Sequence, residues 1–346
     1  MADILTVSLY REGIINSYQR YLGMVRGEKV DFVPRIPVLM HFGADYLGVS
    51  YADFAGSAET MFKVNRKLVQ DFGFDQLDIM SDPFRETSAW GGKITYMETT
   101  IPKCTRPLKD SKDMDLLQTP DPYTCPRLKA AVDCVALYKK FAHKVYSITG
   151  WVEGPAAEAA DLRGVEQFLL DLMDDETFSS ALMDRCVDGA IAYAQAQVNA
   201  GCDTIGIGDA IASQISAPMY ERLVLKHEKR LVYAIHKMGA LVRLHICGNI
   251  NHLLPGIAEL GIDIIDCDWQ VDMELTRRTL GDKVTLAGNL DPVEDIMRSN
   301  PKKIREAFQT IYKKVGNPYF VNAGCEVPVG TPPENLQALC EPIEAK

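Results

Sequence analysis

From residue 127 to its end, the chain alternates regularly between helical patterns and short runs rich in Val, Ile and Leu. Together with two earlier runs, eight core strands are predicted, at residues 36–41, 76–80, 145–149, 204–207, 241–246, 263–267, 284–287 and 319–322. Most of these runs are continuously apolar, which is typical of parallel strands covered by helices. Eight strands alternating with helices predict an α/β protein with the (β/α)8 TIM-barrel fold.

A doubly wound open sheet is the alternative arrangement of such elements. The sequence has neither of the glycine-rich phosphate-binding patterns, G-x-G-x-x-G and G-x-x-x-x-G-K-[ST], that often accompany open sheets. The barrel is therefore preferred. Residues 5–27 predict an amphipathic helical extension ahead of it, and residues 90–101, which alternate around Gly91 and Gly92, predict a small hairpin excursion. We expect residues 1–346 to form one barrel domain with these additions.

Composition narrows the possible functions. The 37 basic and 47 acidic residues give a net charge of -10, which argues against a nucleic-acid-binding surface. We find no signal-peptide pattern at the start and no window of roughly 18–20 uncharged apolar residues, the length of a membrane span. We expect a cytoplasmic protein whose nine cysteines stay reduced. In that compartment, a cysteine close to a histidine is better explained as a metal ligand or catalyst than as half of a disulfide.

Polar residues follow the predicted strands at the ends where a barrel carries its active site. They are His41, Ser81, Asp82, Glu153, Asp209, His245, Cys247, Asp266, Cys267, Asp268, Asn289 and Cys325. One polar residue at a strand end is ordinary. A set of this kind indicates a common site at one mouth of the barrel.

The pattern L-H-I-C-G-N at residues 244–249 is the sharpest of these features. Side chains of a strand alternate between its faces, so His245 and Cys247 lie on the same side, about 7 Å apart along the chain. An imidazole nitrogen and a thiolate at that offset can bind one zinc ion. Cys325, in N-A-G-C-E at the end of the last strand, supplies the third ligand. Three protein ligands and an open fourth position are typical of catalytic zinc.

Alternatives remain for several of these residues. Cysteine is often a small buried apolar residue, and H-x-C also occurs by chance. Cys267 is a rival metal ligand, and the fourth ligand is Cys267, Glu153, water or substrate. Glu153 is also a candidate acid or base or a loop cap. His41 and Asp82 are candidates for contact with a bound substrate or cofactor, with a structural role as the alternative for His41.

Two stretches resemble the uroporphyrinogen decarboxylase superfamily. They are A-G-N-L-D-P at 287–292 and N-A-G-C-E-V-P-V-G-T-P-P-E-N-L-Q-A-L from residue 322. The decarboxylases have a histidine where this chain has Cys325, lack the H-x-C pair, and carry an arginine-rich segment that binds the tetrapyrrole. Here the comparable segment reads P-V-L-M-H-F-G-A-D-Y. Because it has no arginine to neutralise porphyrin carboxylates, decarboxylation of a porphyrinogen is not expected.

The departures point to the zinc-dependent corrinoid methyltransferases of this superfamily, such as the methylcobamide:coenzyme M methyltransferases. The chain matches their H-x-C-G-N and later G-C-G patterns, except that Glu326 replaces the last glycine. The segment G-D-A-I-A-S at 208–213 also resembles the family. The resemblance implies a TIM barrel with zinc on His245, Cys247 and Cys325. It also implies a corrinoid such as methylcobalamin, carried by a separate corrinoid protein, and a small-molecule methyl acceptor or donor.

In this interpretation, zinc activates a thiol or similar acceptor, or polarises a methyl donor if transfer runs the other way. Asp209 and Glu153 are candidates for orienting substrate or moving a proton, and Asn289 for hydrogen bonding to a ligand. Two other functions stay open. One is a metal-independent decarboxylase acting on a smaller substrate, with Asp209 stabilising a cationic intermediate. The other is a barrel that binds a corrinoid or its carrier protein without turnover.

Overall fold

The computed structural model describes residues 15–97 and 101–346. One curved parallel sheet has the strand order β1-β4-β5-β6-β7-β8-β9. Its strands are β1 (Gln76–Asp78), β4 (Ser147–Glu153), β5 (Thr204–Gly208), β6 (Leu241–Ile246), β7 (Ile264–Cys267), β8 (Thr285–Ala287) and β9 (Tyr319–Phe320). Seven of the eight predicted barrel strands are therefore present as parallel neighbours in chain order, and the predicted (β/α)8 barrel is confirmed.

The eighth position of the barrel is a single bridge rather than a strand. Arg35 pairs in parallel with Val321, just beyond β9, and its carbonyl accepts a hydrogen bond of 2.8 Å from the Asp75 amide beside β1. The predicted strand at 36–41 is thus wrong in its extent. Pro34 and Pro37 have no N–H to donate, so a longer ladder cannot form there. The chain becomes helical at Met40 instead.

The helices lie between the strands and cover the sheet. They are α1 (Ser17–Val25), α2 (Met40–Tyr46), α3 (Tyr51–Gly56), α4 (Ala58–Phe72), α5 (Arg85–Ala89), α6 (Pro126–Ala142), α7 (Pro155–Arg163), α8 (Val165–Asp174), α9 (Glu176–Ala200), α10 (Ala217–Met219), α11 (Leu225–Lys237), α12 (Leu254–Ile257), α13 (Met273–Leu280), α14 (Pro301–Val315) and α15 (Pro333–Leu339). Local signals set many of their ends. For α4, the Ser57 side chain accepts from the Thr60 amide at the start, and Gly73, with a φ of 69°, ends the helix. Within the described chain, no helix has the length and apolarity to cross a lipid bilayer.

Of the helix predicted at residues 5–27, residues 5–14 lie outside the described residues. In the part that is described, α1 is shorter than predicted, because it begins at Ser17 and ends at Val25. It packs at the N-terminal end of the strands. Tyr21 stacks at 4.7 Å from the ring of Phe320, and Arg20 forms an ion pair of 2.6 Å with the buried Asp75. This helix covers the end of the barrel opposite the predicted site.

The hairpin excursion exists, but its strands differ from those expected. β2 (Ile94–Thr95) pairs antiparallel with β3 (Lys103–Cys104), so Gly91 and Gly92 precede the first strand instead of forming the turn. A side chain at Gly92 would lie 2.6 Å from the Cys104 sulfur and 2.8 Å from the Thr87 carbonyl oxygen. Glycine is therefore needed for close packing here.

Candidate active site

The end of β6 and the loop after β9 bring three metal-ligating side chains together. His245 Nε2 lies 3.2 Å from the sulfur of Cys247, and this sulfur lies 4.0 Å from the sulfur of Cys325. All three ligand atoms lie within 4.8 Å of one another. Across residues 15–97 and 101–346, this is the one group of three or more His, Cys, Asp or Glu side chains close enough to share a metal ion.

The spacing of these atoms fits zinc. Bonds of about 2.0–2.3 Å in a tetrahedron place ligand atoms roughly 3.3–3.8 Å apart. The two separations of 3.2 Å and 4.0 Å lie just below and just above that range, so a shift of about 0.2 Å or less brings each into it. One imidazole and two thiols are also donors that zinc prefers. The three residues present can therefore hold a zinc ion and leave a fourth position for another ligand.

Two glycines allow the ligand loops to approach. Gly248, directly after the first ligand pair, has a φ of 87°, which a residue with a side chain rarely adopts. A side chain at Gly324 would lie 2.4 Å from the backbone nitrogen of Trp269. The Gly248 amide also donates a 2.6 Å hydrogen bond to Asp268. The sequence beside each cysteine thus fixes the course of the backbone that carries it.

His245 is oriented from behind by Asp266 on β7. Its Nδ1 lies 3.1 Å from the Asp266 carbonyl oxygen, which only accepts, so Nδ1 carries the proton and Nε2 faces the sulfurs. The Asp266 carboxylate in turn pairs with the fully buried Arg243 and accepts a 2.8 Å hydrogen bond from Asn322. This buried network fixes the tautomer and direction of the imidazole.

The pKa values of His245, Cys247 and Cys325 are shifted in different directions. The hydrogen bond from Cys247, opposed by burial and helped by the interaction with His245, lowers the pKa of Cys325 to about 4. Burial alone would lower the pKa of His245, but its interactions with Cys325 and Asp266 raise it to about 9. The pKa of Cys247 is raised by its hydrogen bond to Cys325 and by burial. Cys325 is therefore the thiolate of the set, and without a metal its charge is balanced by the protonated imidazole of His245.

A cavity of about 280 Å³ opens in front of these groups. It is lined by Val38, Met40, Met80, Asp82, Pro83, Ile101, Trp151, Glu153, Gly208, Ala210, His245, Cys247, Asp266, Cys325 and Glu326. Strand register explains its position, because Glu153, Gly208 and His245 are paired in one layer across β4, β5 and β6. Gly208 has no side chain, so the space between Glu153 and His245 stays open.

The layer below is filled by Trp151. Its indole lies against β5, where a side chain at Gly206 would be 2.0 Å from the ring and one at Gly208 would be 3.2 Å from it. Gln197 hydrogen-bonds both the backbone amide and the carbonyl of Trp151, at 2.7 Å and 3.0 Å. The ring forms the apolar floor of the cavity.

Carboxyl groups gather around Glu153. The Glu153 amide donates a 2.8 Å hydrogen bond to Glu86, and Asp161 and Glu158 lie close enough to raise the pKa of Glu153 electrostatically. Burial raises the pKa of Glu86 to about 7 and that of Asp161 to about 8. Burial and then Glu86 raise the pKa of Glu153 well above its usual range. One side of the cavity is therefore strongly acidic.

His41 and Asp82, predicted to contact substrate or cofactor, lie at the same mouth. His41 is on α2, not at a strand end, stacked on Tyr51 with ring centroids 3.5 Å apart. Its backbone amide donates a 2.7 Å hydrogen bond to Glu326, the neighbour of Cys325. Asp82 lines the cavity and pairs with Arg127.

Asp209 and Asn289 lie behind the cavity wall. Asp209 is fully buried and accepts a 2.7 Å hydrogen bond from the Ala157 amide at the start of α7. Asn289 donates to the carbonyl oxygens of Asp268 and Val271. Cys267, the rival ligand, is buried and lies outside the group of three. Asp209 and Asn289 therefore hold the backbone around the site through these hydrogen bonds.

Several residues of the cavity are not among the candidates predicted from the sequence. They include Trp151, Gly208 and Glu326 in the cavity lining, and Glu86 lies behind the lining as the acceptor of the Glu153 N–H. Trp151 precedes Glu153 by two residues, so strand alternation predicts that both face inward. No comparable signal marks Glu86, since its approach to Glu153 depends on how α5 packs against the barrel.

The sequence profile described as "Uroporphyrinogen decarboxylase (URO-D)" matches residues 16–345. The chain belongs to the uroporphyrinogen decarboxylase family. Its curated relatives include both kinds of protein that the sequence resembles. The methylcobamide:CoM methyltransferase MtbA of Methanosarcina acetivorans is 30% identical over 336 residues, which cover 93% of this chain and 96% of that protein. The uroporphyrinogen decarboxylase of Chlorobaculum tepidum is 25% identical over 338 residues, covering 92% and 95%.

Among solved structures, a methyltransferase from Methanosarcina mazei superposes with a TM-score of 0.86 at 22% identity, covering 94% of this chain and 97% of the other. At this identity the match supports the fold alone. Overall similarity also does not separate decarboxylases from methyltransferases, because both groups of relatives are almost equally distant. The residues of the site must decide between these activities in the family.

Proposed function

We propose that this member of the uroporphyrinogen decarboxylase family is a zinc-dependent methyltransferase. It would move a methyl group between a corrinoid carried by a separate protein and a small thiol, or a similar acceptor or donor. The single observation that carries the proposal is the convergence of His245, Cys247 and Cys325 within 4.8 Å at the floor of an open cavity. The relatives that are methylcobamide:CoM methyltransferases support the same activity class.

His245, Cys247 and Cys325 would hold the metal. When bound there, zinc lowers the pKa of a coordinated thiol, so that an acceptor is present as its thiolate at neutral pH. The remaining steps depend on the chain. Asp266 and Arg243 keep Nε2 of His245 directed at the site, and Trp151 keeps water away from one side of the acceptor. Glu153 lines the cavity opposite the ligands, where its carboxyl can bind and orient the far end of the acceptor.

The corrinoid, held by its carrier protein, would supply the methyl group that the acceptor sulfur takes up, and cobalt would keep the electron pair of the broken bond. The carrier protein would therefore have to reach the mouth of the barrel. Two apolar side chains stand exposed at this mouth: Trp269, beside Gly324, is 48% exposed, and Ile101, which lines the cavity, is 45% exposed. We propose that they contact the corrinoid protein.

The other predicted residues support these groups from behind. In this proposal Asp209, which would collide with any side chain at Gly154, positions the backbone next to Glu153. Asn289 donates a hydrogen bond to the Asp268 carbonyl oxygen and so fixes the loop after β7. In that loop, the Asp268 carboxylate accepts a hydrogen bond from the Gly248 amide. His41 holds Glu326 and thereby the loop of Cys325, and Asp82 fixes the outer wall through Arg127.

The residues that line the cavity favour this activity over decarboxylation of a tetrapyrrole. In the described part of the chain, the lining contains no lysine or arginine that could pair with porphyrin carboxylates. The lining therefore favours an acceptor without such carboxylates.

The test measures zinc and methyl transfer together. Protein purified without added metal is expected to contain close to one zinc per chain, and to convert the absorbance of methylcobalamin when a thiol is supplied. Cys325→Ala should lose both properties, whereas Cys125→Ala, which replaces a half-buried cysteine at the start of α6 outside the cavity lining, should keep them. Turnover that survives chelation and Cys325→Ala would reject the proposal in favour of metal-independent chemistry.

A further inference from the structure

Resting on the proposed function, we infer that the small molecule bound beside the metal ligands is a thiol whose other end is a cationic ammonium group. The ammonium would lie between Glu153 and Trp151, and the sulfur at the His245, Cys247 and Cys325 end. An anionic thiol, such as 2-mercaptoethanesulfonate, would be disfavoured. The inference comes from the charges and the shape of the cavity wall.

The shape of the cavity gives the molecule two ends. Glu153 and His245 lie in one layer of the barrel, two strands apart, which corresponds to roughly 10 Å between their Cα atoms. Gly208 lies between them and leaves the gap open. Both side chains line the cavity, one from each side. A compact molecule that binds through sulfur near His245 therefore directs its other end towards Glu153.

The ionisable residues that line the cavity are mostly carboxylic acids. Within residues 15–97 and 101–346, the lining includes four carboxyl residues and no lysine or arginine. Three of these carboxyls have cationic or imidazole neighbours: Asp82 pairs with Arg127, Asp266 with Arg243, and Glu326 with His41. The Glu153 carboxyl has no ion-pair partner in the described chain. It is instead surrounded by the carboxyls of Glu86, Glu158 and Asp161.

The nearest arginines are already engaged. Arg127 binds Asp82 and donates a 3.0 Å hydrogen bond to the Phe84 carbonyl oxygen. Arg85 binds Ser81 and donates a 2.7 Å hydrogen bond to the Arg127 carbonyl oxygen. Neither side chain lines the cavity. At the Glu153 end a sulfonate or carboxylate would therefore lie among carboxyl groups, and no lysine or arginine of the described chain lines the cavity there to pair with it.

An ammonium group would meet the opposite conditions. A cation beside Glu153 offsets the mutual repulsion of the buried carboxyls, and an indole ring attracts cations through its π-electrons. Trp151 presents such a ring at the floor of the same cavity, where Gly206 and Gly208 let it lie against β5. A buried carboxylate next to an aromatic ring is the chemistry that recognises an ammonium group.

The experiment compares three thiols with the same two-carbon spacer and different charges: cysteamine, 2-mercaptoethanol and 2-mercaptoethanesulfonate. Full-length protein is loaded with Co²⁺, whose absorbance changes when a thiolate binds, and dissociation constants are measured at pH 7.5. Cysteamine should bind at least about tenfold more tightly than 2-mercaptoethanesulfonate, with 2-mercaptoethanol between them. Glu153→Gln should remove this order, whereas Glu166→Gln, an exposed carboxyl on α8, should preserve it.

A second measurement needs no metal. Calorimetry compares choline with 3,3-dimethylbutan-1-ol, which has the same shape without the charge. Choline should bind at least about tenfold more tightly, and Trp151→Leu should reduce its affinity more than Trp151→Phe. Equal affinities for this pair, or a sulfonate that binds as tightly as cysteamine, would overturn the inference. Methyl transfer from methylcobalamin is assayed separately, so a protein that shows the affinity order without turnover rejects the proposed function while supporting this inference.

Discussion

The two sides of the cavity differ in how far their charges are compensated by neighbouring groups. On the metal side, formed by His245, Cys247 and Cys325, three donor atoms converge, and an attached network of Asp266 and Arg243 compensates charge behind them. On the carboxyl side, formed by Glu86, Glu153, Glu158 and Asp161, four acids lie close together, and the charges of Arg85 and Arg106 only partly offset the effect of burial on Glu86 and Asp161. Glu158 even has one buried oxygen without a hydrogen-bond partner in the described chain. The metal side is prepared for a metal ion, and the carboxyl side for a positive charge brought by a ligand.

This difference shows how a binding site is distinguished from the core around it. Buried charges are normally paired, because an unpaired one costs several kcal/mol, about 3–5 kcal/mol when a partner is removed from a pair. The metal side obeys this rule once a cation is present. The carboxyl side departs from it, and such departures are expected where a protein must recognise a ligand. The following predictions test each side separately.

The largest effect is expected for Cys325→Ala. Removing one of three ligands should reduce zinc from about one per chain to below a tenth, and methyl transfer by at least about 100-fold. Elemental analysis and methylcobalamin absorbance measure the two effects, and Cys125→Ala is the matched control. A full zinc content in Cys325→Ala would show that the metal side does not need this sulfur.

Next in size is the network behind the metal side. Arg243→Met leaves the fully buried Asp266 carboxylate without its cation, which should cost about 3–5 kcal/mol of stability. Urea denaturation measures the loss, and zinc affinity should fall about 10–100-fold because His245 loses its fixed orientation. The double variant Arg243→Met with Asp266→Asn should regain part of the stability. A single variant as stable as the wild-type protein would contradict the role of this pair.

The sequence predicted the metal side because strand alternation fixes it locally. His245 and Cys247 lie two residues apart, so they share a face regardless of the rest of the fold. Cys325 followed from the convergence of parallel strand ends at one mouth. The carboxyl side had no such local signal. Glu86 and Glu158 come from α5 and α7, and their approach to Glu153 depends on how helices pack on the sheet.

The pairing register of the strands is the second feature that could not be predicted from the sequence. The sequence places Glu153 at a strand end, but only the pairing of β4, β5 and β6 shows that Gly208 separates it from His245. The error at residues 36–41 has a similar origin. An apolar run predicts a strand, yet Pro34 and Pro37 limit pairing to one bridge and place His41 on a helix. Apolar pattern gave the order of the strands, whereas contacts between elements determine the shape of the cavity.

On the carboxyl side, Glu86→Gln should change stability in a pH-dependent way. Burial raises the pKa of Glu86 from 4.5 to about 7, so the folded protein holds a proton that the unfolded chain has lost. The stability that Glu86 contributes is therefore present below pH 4.5 and is lost as the pH rises to about 7. Glutamine stays neutral and its amide oxygen still accepts the Glu153 N–H. The variant should gain about 1–3 kcal/mol relative to wild type at pH 7.5 and nothing at pH 4.

Denaturation curves at several pH values measure this difference, with Glu166→Gln as the exposed control. A stability difference that is the same at pH 4 and pH 7.5 would show that the carboxyl side is not strained by charge. A ligand with an ammonium group should also reduce the difference, because the wild-type protein has one more ionised carboxyl, that of Glu86, for the ligand to stabilise.

The smallest effect is expected for Cys267→Ala, which tests whether Cys267 belongs to the metal side. Cys267 follows Asp266 on β7, so strand alternation turns its side chain away from the barrel interior, towards Thr276 on α13. Burial raises the pKa of its thiol, and a neutral buried thiol packs as an apolar group. Its removal should cost about 1 kcal/mol of stability and leave zinc content and affinity unchanged. Competition with a chelator measures the affinity, and a tenfold loss would make Cys267 a fourth ligand that moves towards the other three when metal binds.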